Sequence, residues 1–212
     1  KENEFVPNPE FVPTFKKEEE NYKEAAKILK ESGADLLVLE MLLDVDHSKI
    51  LLNAALETGL PVWVGLSCCD SKFDNSVIGR NFRAEKEKSL IYDENKYKDQ
   101  PKYLPEDKII LLEDIIKSLT SLGGDVYGIM HTWFQDSIGG LKILKNNWKG
   151  PIMFYPEIHK FDTNTHKAII TMTEEEFSNS ILELIDDQIQ IVGGCCGVND
   201  KHLKRLIQSI SE

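Results

Sequence analysis

The chain has 212 residues, of which 41% are hydrophobic, and a formal net charge of -11. A chain of this size and apolar content can bury a substantial core, so we expect residues 1–212 to form one domain. The excess of acidic side chains argues against nucleic acid or an anionic membrane as a partner, because both would be repelled. No apolar stretch approaches the roughly 20 residues needed to cross a bilayer, and Lys1–Glu4 does not begin a signal peptide. The sequence therefore predicts a cytoplasmic protein.

Short apolar runs alternate with longer amphipathic stretches along the chain, which is typical of a parallel α/β sheet. The apolar runs predict strands at 36–39, 62–66, 126–130, 152–155 and 189–192. The amphipathic stretches predict helices at 17–32, 46–58, 109–121, 138–147, 174–186 and 200–210. Because the runs are apolar almost throughout, we expect the strands to be buried on both faces. Helix caps are expected at Asp44 or Asp46, at Thr173 with Glu176, and at Asn199 or Asp200.

Two connections are too long for simple loops between a strand and a helix. Residues 68–107 are polar and follow the second predicted strand, and residues 156–172 follow the fourth. The first of them is either a loop that covers a substrate or a disordered insertion. Both lie at the carboxyl ends of strands, where α/β proteins place their active sites.

The four cysteines form two adjacent pairs, Cys68-Cys69 and Cys195-Cys196. This pattern differs from the dispersed cysteines of a secreted disulfide framework, so we expect reduced thiols that are reactive or bind a metal. The second pair lies in the segment Gly193-Gly194-Cys195-Cys196-Gly197, directly after the last predicted strand. Glycines on both sides permit a turn with positive φ, which would let one ion take both thiolates. The alternative is that two small cysteines fill the core at the end of the sheet.

Two further side chains follow predicted strands. His131 comes directly after the third strand, and a set of two thiolates and one imidazole would leave one coordination position of zinc for a substrate. An ordinary loop or core histidine is the alternative. Glu40 closes the first strand, where its carboxylate is well placed to hold an ammonium group or, alternatively, to form a structural salt bridge.

Five segments together resemble the homocysteine S-methyltransferase family in their order and spacing. They are Ala34–Glu40, Leu60–Val64, Gly128–His131, Phe154–Glu157 and Val192–Gly197. The resemblance implies a partial (β/α)8 TIM barrel with strands four to eight and their helices. It also implies a zinc ion held by Cys195, Cys196 and, here, His131, and methyl transfer from a small donor to homocysteine, which gives methionine. Alternate strands of such a barrel contribute to the same layer, so Glu40, His131 and Cys195 are expected over one mouth, with Glu40 holding the amino group of the substrate.

The sequence departs from the family at the metal site and in its length. Family members carry a cysteine where this chain has His131, so one negative charge of the ligand set is lost and the bound thiolate becomes less nucleophilic. The three opening strands of the family have no counterpart, and five strands cannot close a barrel that needs about 250 residues. Either the sequence is part of a longer protein, or another chain or a second copy completes the barrel.

Two other functions remain open on these grounds. The first is a non-catalytic, truncated homologue that binds a metal or a partner chain. The second is a zinc hydrolase or lyase, although no histidine or carboxylate stands where a general base for water is expected. The methyl donor is not identified, since S-methylmethionine, betaine, S-adenosylmethionine and folate or cobalamin carriers all serve relatives.

Overall fold

The computed structural model describes residues 13–70, 76–80, 109–162 and 167–211. The described residues form six helices and ten strands. The helices are α1 (Phe15–Glu31), α2 (Val45–Leu56), α3 (Leu112–Thr120), α4 (Phe134–Asn147), α5 (Glu174–Leu182) and α6 (Asp200–Ser211). The strands are β1 (Leu37–Leu42), β2 (Val62–Leu66), β3 (Cys69–Asp70), β4 (Val77–Arg80), β5 (Ile109–Leu111), β6 (Val126–Trp133), β7 (Ile152–Glu157), β8 (His159–Asp162), β9 (Lys167–Ile170) and β10 (Ile189–Val192).

The five predicted strands form one parallel sheet in the order β1-β2-β6-β7-β10. A helix lies between each pair of successive sheet strands, as parallel pairing requires. All carboxyl ends therefore meet at the same edge of the sheet. This edge carries Glu40 in β1, His131 in β6 and the cysteine pair that follows β10.

The core lies between the sheet and its helices, with Tyr127 and Phe154 among its largest fully buried side chains. The three inner strands are mostly buried, as predicted. The outer strand β1 differs from the prediction, because its exposed and buried residues alternate at first and Val38 and Met41 are 40% and 46% exposed. The physical reason is its position at the edge of the described sheet, where no further strand covers it.

The two long connections contain short strands that the sequence analysis did not predict. Strands β3, β4 and β5 form an antiparallel sheet, and β8 and β9 form a hairpin. Residues 109–111 were predicted as the start of a helix, but they pair with β4 as strand β5, and α3 begins at Leu112. Of the predicted polar segment 68–107, residues 71–75 and 81–107 lie outside the described residues, and so does its predicted role as a substrate cover or disordered insertion.

The predicted helix caps are present at three sites. Asp44 accepts a hydrogen bond from the backbone N–H of His47 at 2.8 Å, and Thr173 and Glu176 form a reciprocal capping box. The side-chain oxygen of Asn199 accepts from the backbone N–H of Lys201 at 3.0 Å. None of the helices in the described ranges is long and apolar enough to cross a membrane.

Candidate metal centre

His131 lies in an irregular part of β6. The pairing of β6 with β7 shifts register between Met130 and Trp133, and His131 has a φ of 46° in the left-handed region. Two hydroxyls, Ser67 Oγ and Thr132 Oγ1, each donate to the carbonyl oxygen of Met130 at 2.9 Å. A bulge of this kind redirects a side chain away from the regular alternation of a strand, and left-handed residues other than glycine are often found at functional sites.

The two cysteines lie in a turn that packs along the end of β7. The backbone N–H of Gly193 donates to Phe154, that of Cys195 donates to Pro156 at 3.0 Å, and the carbonyl of Cys196 accepts from the N–H of Ile158 at 2.9 Å. These bonds hold both cysteines beside the last residues of β7.

The glycines of this turn act in two ways. Gly197 has a φ of +91°, as the sequence analysis expected of the glycines. Gly193 and Gly194 are not in the left-handed region, so the predicted reason is wrong for them. Instead, a Cβ atom would lie 2.7 Å from the Tyr155 ring at Gly193 and 2.4 Å from the Val198 side chain at Gly194. Close packing therefore explains these two glycines.

The structure brings the predicted metal ligands together. His131 and Cys195 are 64 positions apart in sequence, yet Nδ1 of the imidazole lies 3.6 Å from Sγ of Cys195. The Sγ atoms of Cys195 and Cys196 are 3.9 Å apart. One donor atom from each of these residues and one from Glu157 all lie within 4.8 Å of one another.

The spacing of these donors suits zinc. Around a tetrahedral ion with bonds of about 2.3 Å to sulfur and about 2.0 Å to nitrogen, two sulfurs are about 3.8 Å apart, and a sulfur and a nitrogen about 3.6 Å. The corresponding distances here are 3.9 and 3.6 Å. Thiolate and imidazole are also the ligands that zinc prefers. The residues present therefore fit the ion that the resemblance implies.

The pKa of His131 is raised above the usual imidazole value. The hydrogen bond with Cys195 is the largest cause, and partial burial opposes it; the negative charges of Glu157 and Cys195 also raise the pKa. The site is thus an electronegative pocket that favours a positive charge even before an ion is considered.

Glu40 lies at the same edge of the sheet but not among the clustered donors. It is exposed, and the next residue, Met41, has a φ of 61° beside a register shift in β1. Burial raises the pKa of Tyr155, and the charge of Glu40 raises it further. Since the Tyr155 ring also packs on Gly193, it links the surroundings of Glu40 with the cysteine turn.

Sequence reasoning missed Glu157 and Tyr155 as site residues. Both belong to the segment Phe154–Glu157 that contributes to the family resemblance, and a carboxylate directly after a buried strand was the available signal. Cys68 also differs from expectation. It packs against the core, and burial raises the pKa of its thiol to about 12, which disfavours the reactive thiolate form.

Comparisons with known proteins agree with the fold. The metallated form of the homocysteine methyltransferase MmuM from Escherichia coli has a TM-score of 0.62 and 14% identity, over 95% of this chain and 54% of its own. The apo form has the same TM-score and identity over 94% of this chain and 58% of its own. The chain thus spans little more than half the length of these structures. None of the curated proteins matches the chain.

The described structure is part of a (β/α)8 barrel, in which β1, β2, β6, β7 and β10 are strands four to eight. The sequence profile of the homocysteine S-methyltransferase family matches residues 4–89 and 111–210. The chain therefore belongs to the homocysteine S-methyltransferase family, as its sequence motifs predicted.

Proposed function

We propose that the protein transfers a methyl group from a small donor to the thiol of homocysteine, which gives methionine, and that it uses zinc. The observation that carries the proposal is the convergence of His131, Cys195 and Cys196 from distant parts of the chain to separations that suit one tetrahedral ion. Family membership supplies the substrate class.

His131, Cys195 and Cys196 would hold the ion at the mouth of the barrel. A bound zinc ion lowers the pKa of a thiol, so that the homocysteine thiolate exists at neutral pH. Glu40 would hold the amino group of the substrate. It is exposed at the same sheet edge, and its charge acts on the Tyr155 phenol that packs on the cysteine turn. Tyr155 would thereby help to position the substrate between Glu40 and the ion.

We further propose that additional barrel strands cover both edges of the described sheet, and that residues 1–212 form the carboxyl-terminal part of one barrel domain. Apolar side chains are exposed at both edges, for example Val38 in β1 and Ile207 in α6, which is 64% exposed. A pocket of about 380 Å³ beside β10 is lined mostly by apolar residues of β10 and α6. The missing strands would come from the same protein, a partner chain or a second copy.

The test uses the purified protein with homocysteine and each donor class in turn, namely S-methylmethionine, betaine, S-adenosylmethionine and methylfolate. We expect one zinc ion per chain and methionine formation that needs both homocysteine and a donor. The variant Cys195→Ser is expected to lose both, whereas Cys68→Ser, which changes a thiol outside the cluster, retains them. Zinc without methyl transfer from any donor would instead favour the non-catalytic homologue.

Sedimentation of the same sample tests how the barrel is completed. A dimer or a complex would favour completion by a second chain, and a monomer would favour strands from the same protein. A cytoplasmic location remains a prediction from the sequence.

A further inference from the structure

Glu157 carries a buried carboxylate oxygen without a hydrogen bond. The residue ends β7 and pairs with Trp133 across the irregular part of β6. Its Oε2 atom is buried, and no described residue donates a hydrogen bond to it. A buried carboxylate without a hydrogen bond destabilises the protein unless a positive charge or a metal compensates for it. A bound cation at this position would therefore be stabilising.

The same oxygen has the position of a metal ligand. It lies 3.6 Å from Nδ1 of His131, and Nδ1 in turn lies 3.6 Å from Sγ of Cys195. Nitrogen and oxygen ligands of a tetrahedral zinc ion are about 3.4 Å apart. A direct hydrogen bond between Glu157 and His131 would need a distance of about 2.7–3.2 Å. The observed separation therefore suits two ligands of one ion better than a hydrogen-bonded pair.

We propose that Glu157 is the fourth protein ligand of the ion when no substrate is bound. This inference rests on the proposed zinc site and extends it. With Glu157 the set consists of two thiolates, one carboxylate and one neutral imidazole, so its formal charge equals that of the three thiolates of the family pattern. Glu157 thus restores the negative charge that is lost at His131.

Glu157 is also the ligand that a thiol would replace. Thiolates and imidazole bind zinc more readily than a hard carboxylate does. A hydrogen-bond donor for the freed carboxylate is available, because Nδ1 of His159 lies 4.0 Å from Oε2 and is likewise buried without a hydrogen-bond partner among the described residues. A shift of roughly 1 Å would bring the two atoms into hydrogen-bond range. His159 is therefore a positioning residue for Glu157.

The test compares Glu157→Gln with Glu183→Gln, which makes the same change of charge at an exposed residue of another part of the chain. Zinc affinity is measured by competition with a chromophoric chelator. We expect Glu157→Gln to weaken zinc binding at least tenfold, a loss on the order of that seen when groups around metal sites are removed. The control is expected to bind like the wild type.

In the metal-free protein, Glu157→Gln is expected to unfold at the same urea concentration or a higher one, because it removes an uncompensated buried charge.

X-ray absorption of the zinc-loaded wild type gives an independent measurement. We expect two sulfur and two nitrogen or oxygen ligands without substrate, and three sulfur ligands once homocysteine is added. A loss of zinc affinity of less than tenfold in Glu157→Gln, with wild-type binding intact, would overturn this inference alone. A wild-type protein that binds no zinc would overturn the proposed function as well.

Discussion

The left-handed conformation of His131 leads to a prediction about stability that is independent of the metal. A residue with a side chain pays about 1–2 kcal/mol in this region, and glycine does not. Glycine in turn lowers the free energy of unfolding by about 0.5–1 kcal/mol relative to alanine, because it gives the unfolded chain more conformational entropy. The variant His131→Gly should therefore be more stable than His131→Ala by about 1 kcal/mol. Both variants lack the imidazole, so its contacts cancel in the comparison.

The control is the same pair of substitutions at Lys142, an exposed residue within α4. There glycine should be less stable than alanine by about 1 kcal/mol, because the helix interior disfavours it. Urea unfolding in the presence of EDTA, followed by circular dichroism, gives all four free energies. The reasoning fails if alanine is as stable as glycine at position 131, since residue 131 would then not occupy the left-handed region.

Three further predictions concern single side chains of the described structure. Burial raises the pKa of Cys68 to about 12, so on the order of one Cys68 thiol in three thousand is ionised at pH 8.5. Iodoacetamide should therefore label the exposed Cys196 of the metal-free protein but not Cys68, and peptide mass spectrometry measures both. Asp44→Ala should destabilise the protein by about 1 kcal/mol in urea unfolding at pH 7. Asp44→Asn should be at least as stable as the wild type, because asparagine caps equally well and burial raises the pKa of Asp44, which makes its charged form costly. Glu40→Gln should lower the pKa of Tyr155, because it removes a nearby negative charge. The titration of Tyr155 is obtained by subtracting the phenolate absorption of the Tyr155→Phe variant. An unchanged pKa would place Glu40 away from the ring.

The assignment of function depends on two kinds of information. The fold and the family come from patterns spread over the chain, and they agree with the profile match over most of its length. The proposed metal chemistry depends on four side chains and on the bulge that directs one of them. The fold would therefore tolerate many substitutions, whereas the proposed metal site would not tolerate the loss of its ligands.

The sequence by itself determined the five sheet strands, the six helices and the caps of α2, α5 and α6. These features follow from local patterns, since apolar runs and amphipathic periodicity can be recognised in consecutive residues. It also placed His131, Glu40 and the cysteine pair at the carboxyl ends of strands, and therefore at one edge of a parallel sheet. The sequence did not predict β3, β4, β8 and β9 because each is only two to four residues long. It did not predict β5 because the apolar residues of that strand continue into α3.

Only the tertiary structure decided which of these side chains meet. The left-handed bulge at His131 arises from the pairing of β6 with β7, and the cysteine turn is held by the backbone of β7. Glu157 becomes part of the candidate site because the bulge at His131 and the cysteine turn both contact β7, and Glu157 ends that strand. Relations of this kind join residues that are tens of positions apart, so no local pattern of the sequence contains them.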